Sequence, residues 1–261
     1  MSGFTILVFG AGGHLGSALT RRAAALGWKA VSASRNHGEV RVDITDRSAV
    51  ADTVARVRPD AVVNAAYVQS SWKVTADGAA HVALACLGTD TRFVQISSDA
   101  VFSGREPSYA EEAEPDPVTP YGAAKAAAET AARLVPRSTV VRTSWIVGYD
   151  TESPYRRLVD DALAGRKALF TDDFRCPIHV DDLSEGVLSA VDREVEGTLH
   201  LGGPDALSRH ELGRRLAVRF GKDPDALPTG LKAEAIPGSP LDVRLDSRRT
   251  TDLLGLSPRS L

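Results

Sequence analysis

The stretch ILVFGAGGHLG near the N-terminus constrains this chain more than any other. Thr5–Phe9 is an unbroken apolar run that stops at Gly10, Gly13 and Gly16, with helix formers from Leu15 to Leu26 and a stop at Gly27. A run without polar alternation reads as a strand buried on both faces. Glycines at its end admit a turn too tight for a Cβ. The following helix presents unpaired N–H groups and the positive end of its dipole at that turn. Such a strand, turn and helix start form an anion cradle suited to a dinucleotide pyrophosphate, with Gly10, Gly13, His14, Leu15 and Gly16 as the candidate contacts. Leu15 stands where a third glycine would complete the commoner G-x-G-x-x-G spacing.

Beyond the cradle, apolar runs alternate with alanine-rich helical stretches. Strands are expected at Lys29–Ala33, Ala61–Ala65, Arg92–Ser97 and Thr139–Thr143, and helices at Ser48–Val57, Ala76–Leu87 and Tyr121–Leu134. That rhythm implies an α/β fold, a Rossmann-type doubly wound parallel sheet. After Gly148 the rhythm changes, to helices at Pro154–Ala164, Val180–Asp192 and Ser208–Phe220 and short strands at Ala168–Thr171 and Thr198–Leu201. Ser208 with Glu211 reads as a capping box. Residues 1–148 are therefore assigned to a dinucleotide-binding domain, to which 166–202 partly returns. Residues 149–165 and 203–261 are assigned to a smaller C-terminal substrate-binding lobe. The connection Phe102–Pro120, rich in Pro and Glu, reads as a solvated surface loop.

The chain has 261 residues and a formal net charge of −3. That balance gives no reason to expect nucleic acid or an anionic membrane as partner. No apolar run is long enough to cross a bilayer, and no signal peptide is visible, which points to a cytoplasmic protein. Cys86 and Cys176 lack metal-ligand spacing and read as small buried apolar residues; no metal is expected.

The end of the second strand bears on the cofactor's ribose. A carboxylate there would bind the 2′-hydroxyl of NADH. Here Ser34 and Arg35 occupy the position, and arginine's planar fork suits a 2′-phosphate. NADPH is favoured, with NADH as the alternative. Asp43, followed by Ile44, is placed to meet the adenine. Asn64, Ala65 and Ala66, followed by Tyr67, end the third strand with small side chains that leave room for a cofactor.

Tyr121 and Lys125 stand four apart and share a helix face. A nearby ammonium is expected to lower the phenol's pKa and make it a usable acid. Ser97 and Ser98 end the fourth strand, on the same C-terminal edge of the sheet as the glycine turn.

Taken together, GAGGHLG, VDITD, VVNAA, SSDAVFSG, YGAAK, RTSW, PIHVDDL and PLDVRLD resemble the extended short-chain dehydrogenase/reductase family, in its dTDP-4-dehydrorhamnose reductase-like branch. The resemblance implies catalytic roles for Ser98, Tyr121 and Lys125, with Asp99 beside them, and a sugar contact at Trp145. Arg175 and Arg244 are candidates for holding a nucleotide diphosphate. The chain departs from the branch at Thr75, which replaces a usual asparagine, and at YVQSSWK; its second lobe is also trimmed. By analogy with the fold, a homodimer is expected. Three functions are compatible with these residues: an NADPH-dependent ketoreductase acting on a small molecule such as a nucleotide-linked 4-keto-6-deoxysugar or a related natural-product intermediate, an NAD-retaining nucleotide-sugar epimerase or dehydratase, and a non-catalytic NADP-binding regulatory subunit.

Overall fold

The structure is a computed structural model that describes residues 3–149 and 153–261. At its centre, seven strands form one parallel sheet: β1 (Thr5–Phe9), β2 (Lys29–Ser34), β3 (Val40–Arg41), β4 (Ala61–Asn64), β5 (Arg92–Ile96), β6 (Ser138–Thr143) and β7 (Gly197–Leu201). Across the sheet they run β3, β2, β1, β4, β5, β6, β7. The winding direction reverses between β1 and β4, and a crevice opens at such a switch point beyond the strands' C-terminal ends.

Among the described residues, seven helices of nine residues or more surround the sheet and the second lobe: α1 (His14–Ala25), α2 (Arg47–Val57), α3 (Gly78–Cys86), α4 (Pro120–Ala132), α5 (Pro154–Leu163), α6 (Val180–Asp192) and α7 (Arg209–Arg219). Alternate side chains of each strand face opposite ways. Ile6 and Val8 of β1 join Leu15 and Leu19 of α1 and Leu183 and Val187 of α6 in one core. Leu7 and Phe9 join Val50 of α2, Val82 of α3 and Ala132 of α4 in the other. Burial of each such Leu or Phe side chain contributes about 1.5–3 kcal/mol, so these two layers dominate stability. A third core holds Val159, Leu169, Leu212, Leu216 and Leu227, where α5 packs on α7. Two further short helices, α8 (Lys232–Ala235) and α9 (Arg248–Leu254), lie in the C-terminal segment.

Helix starts follow local chemistry. Thr119 caps α4 by accepting from the Gly122 N–H at 3.1 Å, and Pro120 opens the helix without an orphaned donor. Ser208 caps α7 through the Glu211 N–H at 3.0 Å, but Glu211 itself turns to Arg215 rather than back to the cap.

Two features depart from expectation. The helix expected at Ala76 begins three residues earlier, as a π-helical turn over Lys73–Asp77. Thr75 accounts for it: its hydroxyl donates to the Val68 carbonyl at 2.8 Å and accepts the Val68 N–H at 3.2 Å, clipping the preceding loop to the turn. The Phe102–Pro120 connection is also less exposed than its composition implies. Ser108–Tyr109 pairs in parallel with Arg244–Leu245, Tyr109 stacks on Phe102 with ring centres 4.1 Å apart, and Glu111 is buried, accepting from the Thr250 hydroxyl at 2.6 Å. A carboxylate with a buried partner belongs to the core, whatever the polarity of its neighbours.

Gly10 lies where β1 meets β4. Its φ is +80°, and a Cβ there would come within 2.6 Å of the Ala66 nitrogen and 2.8 Å of the Ala65 carbonyl carbon. Gly27 has a similar φ of +79° but open space around it. Gly10→Ala is therefore expected to cost roughly 2–4 kcal/mol, strain plus clash, and Gly27→Ala only about 1 kcal/mol. Urea unfolding of both variants measures the difference; equal losses would mean that the β1–β4 contact is not what demands glycine.

Candidate active site

The C-terminal end of β5 runs into Ser98, which caps a short turn, Asp99–Val101, by accepting from the Ala100 N–H. Helix α4 lies against that turn. A Cβ on Gly122 would come within 2.0 Å of the Ala100 carbonyl oxygen, so only glycine allows the approach. The approach brings the Tyr121 phenol within hydrogen-bonding reach of Ser98. One helical turn on, Lys125 donates to the Ile96 carbonyl at 3.0 Å, and its Nζ lies 4.9 Å from the Tyr67 ring centre and 5.9 Å from that of Tyr121. Tyr67, half exposed, covers the outer side with its ring centre 5.9 Å from Tyr121. The structure thus gathers Ser98, Tyr121, Lys125 and Tyr67 at one point on the sheet's edge.

Protonation differs from the sequence-based expectation. Burial pushes the Tyr121 phenol above its ordinary pKa, Tyr67 adds to the rise, and the Ser98 hydrogen bond only partly opposes it. Lys125 does not lower it, because its ammonium is directed at a backbone carbonyl rather than at the phenol oxygen. Burial also lowers Lys125 to about 8, against the pull of Glu129. Tyr121 is therefore a protonated acid at neutral pH.

Asp99 is buried and its carboxyl is raised by burial, opposed by Arg175 and by hydrogen bonds from Ser144 and Ser98. It accepts the Ser144 hydroxyl at 2.7 Å and the Ser98 hydroxyl at 3.2 Å, and pairs with Arg175 Nε at 3.6 Å. Asp99 thereby orients Ser98. Ser97 faces the opposite way, donating to Glu129 at 2.5 Å.

The remaining candidates divide into an outer and an inner set. Gly13 forms the N-cap of α1 with no side-chain cap, leaving the helix start open for an anion; Leu15 and Gly16 are buried in its first turn, and Gly16 packs on the Gly10 carbonyl. His14 is half buried, and its Nε2 has no partner among the described residues. Ser34 accepts the His37 N–H at 3.0 Å and so shapes the turn that carries the exposed Arg35. Asp43 accepts both the N–H and the hydroxyl of Thr45 at 2.9 Å, which holds its carboxyl below the usual range. Ile44 is buried against Gly78. Asn64 is wholly buried; it donates to Gln95 at 2.9 Å and accepts the Ala66 N–H at 3.2 Å, fixing the Ala65–Ala66 turn beside Gly10.

In the second lobe, Arg175 and Arg244 are both engaged. Arg175 is buried and donates to the carbonyls of Phe174, Leu241 and Pro240. Arg244 grips Asp242 through two hydrogen bonds of 2.8 and 2.7 Å. Trp145 instead carries Arg209, whose Cζ lies 3.5 Å from its ring centre. Tyr155, hydrogen-bonded to Arg209 and close enough to Asp99 and Tyr67 to feel their charge, extends the site. Sequence reasoning missed Tyr155, Arg209 and Ser144. Only Ser144 had a local signal, its place between a strand end and Trp145.

Cys86 and Cys176 are buried and free, with thiols pushed up to about 12 and 11 by burial, and so are unreactive. No helix among the described residues is long and apolar enough to cross a membrane.

A family model described as the RmlD substrate binding domain matches residues 4–260. The dTDP-4-dehydrorhamnose reductase of Mycolicibacterium smegmatis is 33% identical over 97% of this chain and 81% of that protein. A Bacillus anthracis dTDP-4-dehydrorhamnose reductase, solved in complex with NADP, superimposes with a TM-score of 0.86 at 22% identity, covering 98% of this chain and 94% of that one. The structure of a hypothetical dTDP-4-dehydrorhamnose reductase from Sulfolobus tokodaii gives a TM-score of 0.82 at 28% identity, over 99% and 97% of the two chains.

The lowered pKa of Lys125 has a consequence for stability. Between about 8 and the ordinary 10.5 the unfolded chain binds more protons, so stability rises with pH across that window, and below about 8 the full cost of burying the ammonium stands. Lys125→Met is expected to be more stable than the natural protein at pH 7, by up to roughly 3 kcal/mol, and to lack the rise. Urea unfolding at pH 7, 9 and 10.5 checks this; a variant with the same rise would show that Lys125 is not its source.

Proposed function

The chain belongs to the RmlD substrate binding domain family, and on that premise we propose that it is an NADPH-dependent ketoreductase acting on a nucleotide-linked 4-keto-6-deoxysugar. The observation that carries the reading is the meeting of Ser98, a protonated Tyr121 and Lys125 beside the glycine crevice. A dinucleotide fits that crevice: Gly10 keeps the β1–β4 junction free of a Cβ, and the start of α1 is uncapped. Arg35 at the end of β2, with no carboxylate in its place, favours a 2′-phosphate. In this reading residues 1–148, with 166–202, hold the cofactor, and 149–165 with 203–261 hold the substrate.

When bound, NADPH supplies hydride to the carbonyl carbon. The Ser98 hydroxyl, whose one hydrogen rests on Asp99 in this structure, turns it to the substrate oxygen and draws charge onto it. Tyr121 gives that oxygen its proton as charge develops. A phenol held above its ordinary pKa remains protonated until the oxygen becomes more basic than phenolate, which happens as hydride arrives. Lys125, lowered only to about 8, is still an ammonium at neutral pH, and its charge lies 5.9 Å from the ring centre of the nascent phenolate.

Tyr121→Phe is expected to lower kcat by 10²–10⁴-fold, with the NADPH dissociation constant within about twofold of the natural value. NADPH oxidation with dTDP-4-dehydrorhamnose, alongside fluorescence titration of the cofactor, measures both. Turnover within a few-fold of the natural protein would remove Tyr121 from the mechanism. Arg35→Asp is expected to raise KM for NADPH at least tenfold and leave that for NADH nearly unchanged; equal effects on both would mean that Arg35 does not read the 2′-phosphate.

A further inference from the structure

Tyr121, Lys125 and Glu129 stand four apart along α4 and so share one face of it. Each meets a different residue at the end of β5. Tyr121 reaches the Ser98 hydroxyl, Lys125 donates to the Ile96 carbonyl at 3.0 Å, and Glu129 accepts the Ser97 hydroxyl at 2.5 Å. Three consecutive residues of a strand end are thus held by three turns of one helix, like rungs between two rails.

The Ser97 rung has the firmest anchor. Arg142 of β6 bonds both Glu129 oxygens, through Nε at 3.0 Å and Nη2 at 2.9 Å, and Arg133 adds a third bond at 2.9 Å. A hydroxyl on a carboxylate at 2.5 Å lies at the short, strong end of the range for such bonds. The Ser97 N–H meanwhile donates to the Val141 carbonyl at 2.7 Å, where the pairing of β5 with β6 ends. Ser97 is therefore tied to β6 by its backbone and to α4 by its side chain. Ser98 comes next, with extended backbone at φ −151° and ψ 152°, and enters the turn Asp99–Val101. Side chains alternate along extended backbone, so fixing Ser97 on one face directs Ser98 to the other.

We propose that Ser97 is a positioning residue for the reduction: its bond to Glu129 fixes the end of β5 against α4 and so sets the approach of the Ser98 hydroxyl to the Tyr121 phenol. The proposal rests on the reductase reading. It gives Ser97 a task other than the cofactor contact suggested by its place on the sheet's edge, since its side chain is buried and turned to Glu129. Glu129 keeps its bonds to both arginines without the serine, so removing the hydroxyl loosens the strand end and leaves the ion pair in place. A displacement of about 1 Å in a reacting group lowers a rate by as much as 10²-fold.

The test compares Ser97→Ala with Thr91→Val in the full chain. Thr91 stands just before the other end of β5; it is buried, and its hydroxyl donates to the Pro59 carbonyl at 2.9 Å. Its loss takes a buried hydrogen bond from the same strand without touching the rungs. The readouts are steady-state reduction of dTDP-4-dehydrorhamnose, NADPH affinity by fluorescence titration, and the carbon-13 resonance of Tyr121 Cζ in tyrosine-labelled protein, assigned through Tyr121→Phe. Ser97→Ala is expected to lower kcat about tenfold or more, to keep the NADPH Kd within about twofold, and to move the Tyr121 resonance while those of the other four tyrosines stay. Thr91→Val is expected to lose similar stability in urea and to change none of the three. An unchanged kcat or an unmoved Tyr121 resonance in Ser97→Ala would overturn the proposal. So would a tenfold loss of NADPH affinity, which would make Ser97 a cofactor contact. Should Ser97→Ala fail to fold, Ser97→Cys, with a thiol that is only a weak donor, carries the same test with smaller changes of the same sign, and no change overturns the proposal. A natural protein that reduces no 4-keto sugar loses the reductase reading, and the Tyr121 resonance then decides alone: movement in Ser97→Ala keeps the positioning role and stillness ends it.

Discussion

The fully buried pair of Arg142 and Glu129 ties helix α4, which carries Tyr121 and Lys125, to everything around it. Arg142 rises from β6 and meets Glu129 of α4 through Nε at 3.0 Å and Nη2 at 2.9 Å. Its Nη1 reaches the carbonyls of Glu111 and Ala113 in the long connection, and its Cζ lies 5.0 Å from the Phe102 ring centre. Glu129 takes Ser97 as well. Glu111 in turn accepts from Thr250 of α9, whose hydroxyl also accepts the β7 N–H of His200. An ion pair so deeply buried adds little net stability over well-packed apolar side chains. What it specifies is placement. Glu129 lies one turn beyond Lys125 and two beyond Tyr121, so the pair sets the height and rotation of α4 on the sheet, and the Gly122–Ala100 contact follows from that setting.

From this placement follows the electrostatic character of the reacting corner. Tyr121 and Lys125 are moved in opposite directions by the same cause, loss of water. Burial favours the neutral form of each: the phenol keeps its proton and the amine gives its proton up more readily. With Lys125 lowered only to about 8, the corner at neutral pH holds a protonated phenol beside a buried ammonium, and a low-dielectric setting makes both respond strongly to charge developing nearby. Asp99 completes the arrangement: it pairs with Arg175, and its hydrogen bonds hold Ser98 and Ser144 in register.

Much of this architecture was legible in the sequence because it depends on local patterns. The Thr5–Phe9 run, the glycines and the helical stretches each reveal themselves through periodicity or a stop residue, and order along the chain then dictates a doubly wound sheet. Ser98, Tyr121 and Lys125 could be found because they occupy fixed positions at strand ends and on one helix face. The misses share a different origin. Glu111 was read as solvated because its neighbours are polar, while its burial is decided by Thr250, far along the chain. The π-helical turn at Lys73 depends on one hydroxyl reaching back seven residues to Val68. Arg175 and Arg209 look alike in sequence, and only the folded lobe shows that one is bound up in carbonyls and the other lies open on an indole.

The distribution of charge gives the crevice a direction. At one end the uncapped start of α1 and the exposed Arg35 favour anions. At the other, Arg209 and Lys232 share Asp173 with an excess of positive charge. Between them lie the hydroxyls and phenols of Ser98, Tyr121, Tyr67 and Tyr155, none of which carries a charge of its own at neutral pH. A molecule with phosphates at one end only is drawn to one pole or the other, and its uncharged end is left facing the middle. On the reductase reading proposed above, a dinucleotide held at the start of α1 has its uncharged end left facing these hydroxyls.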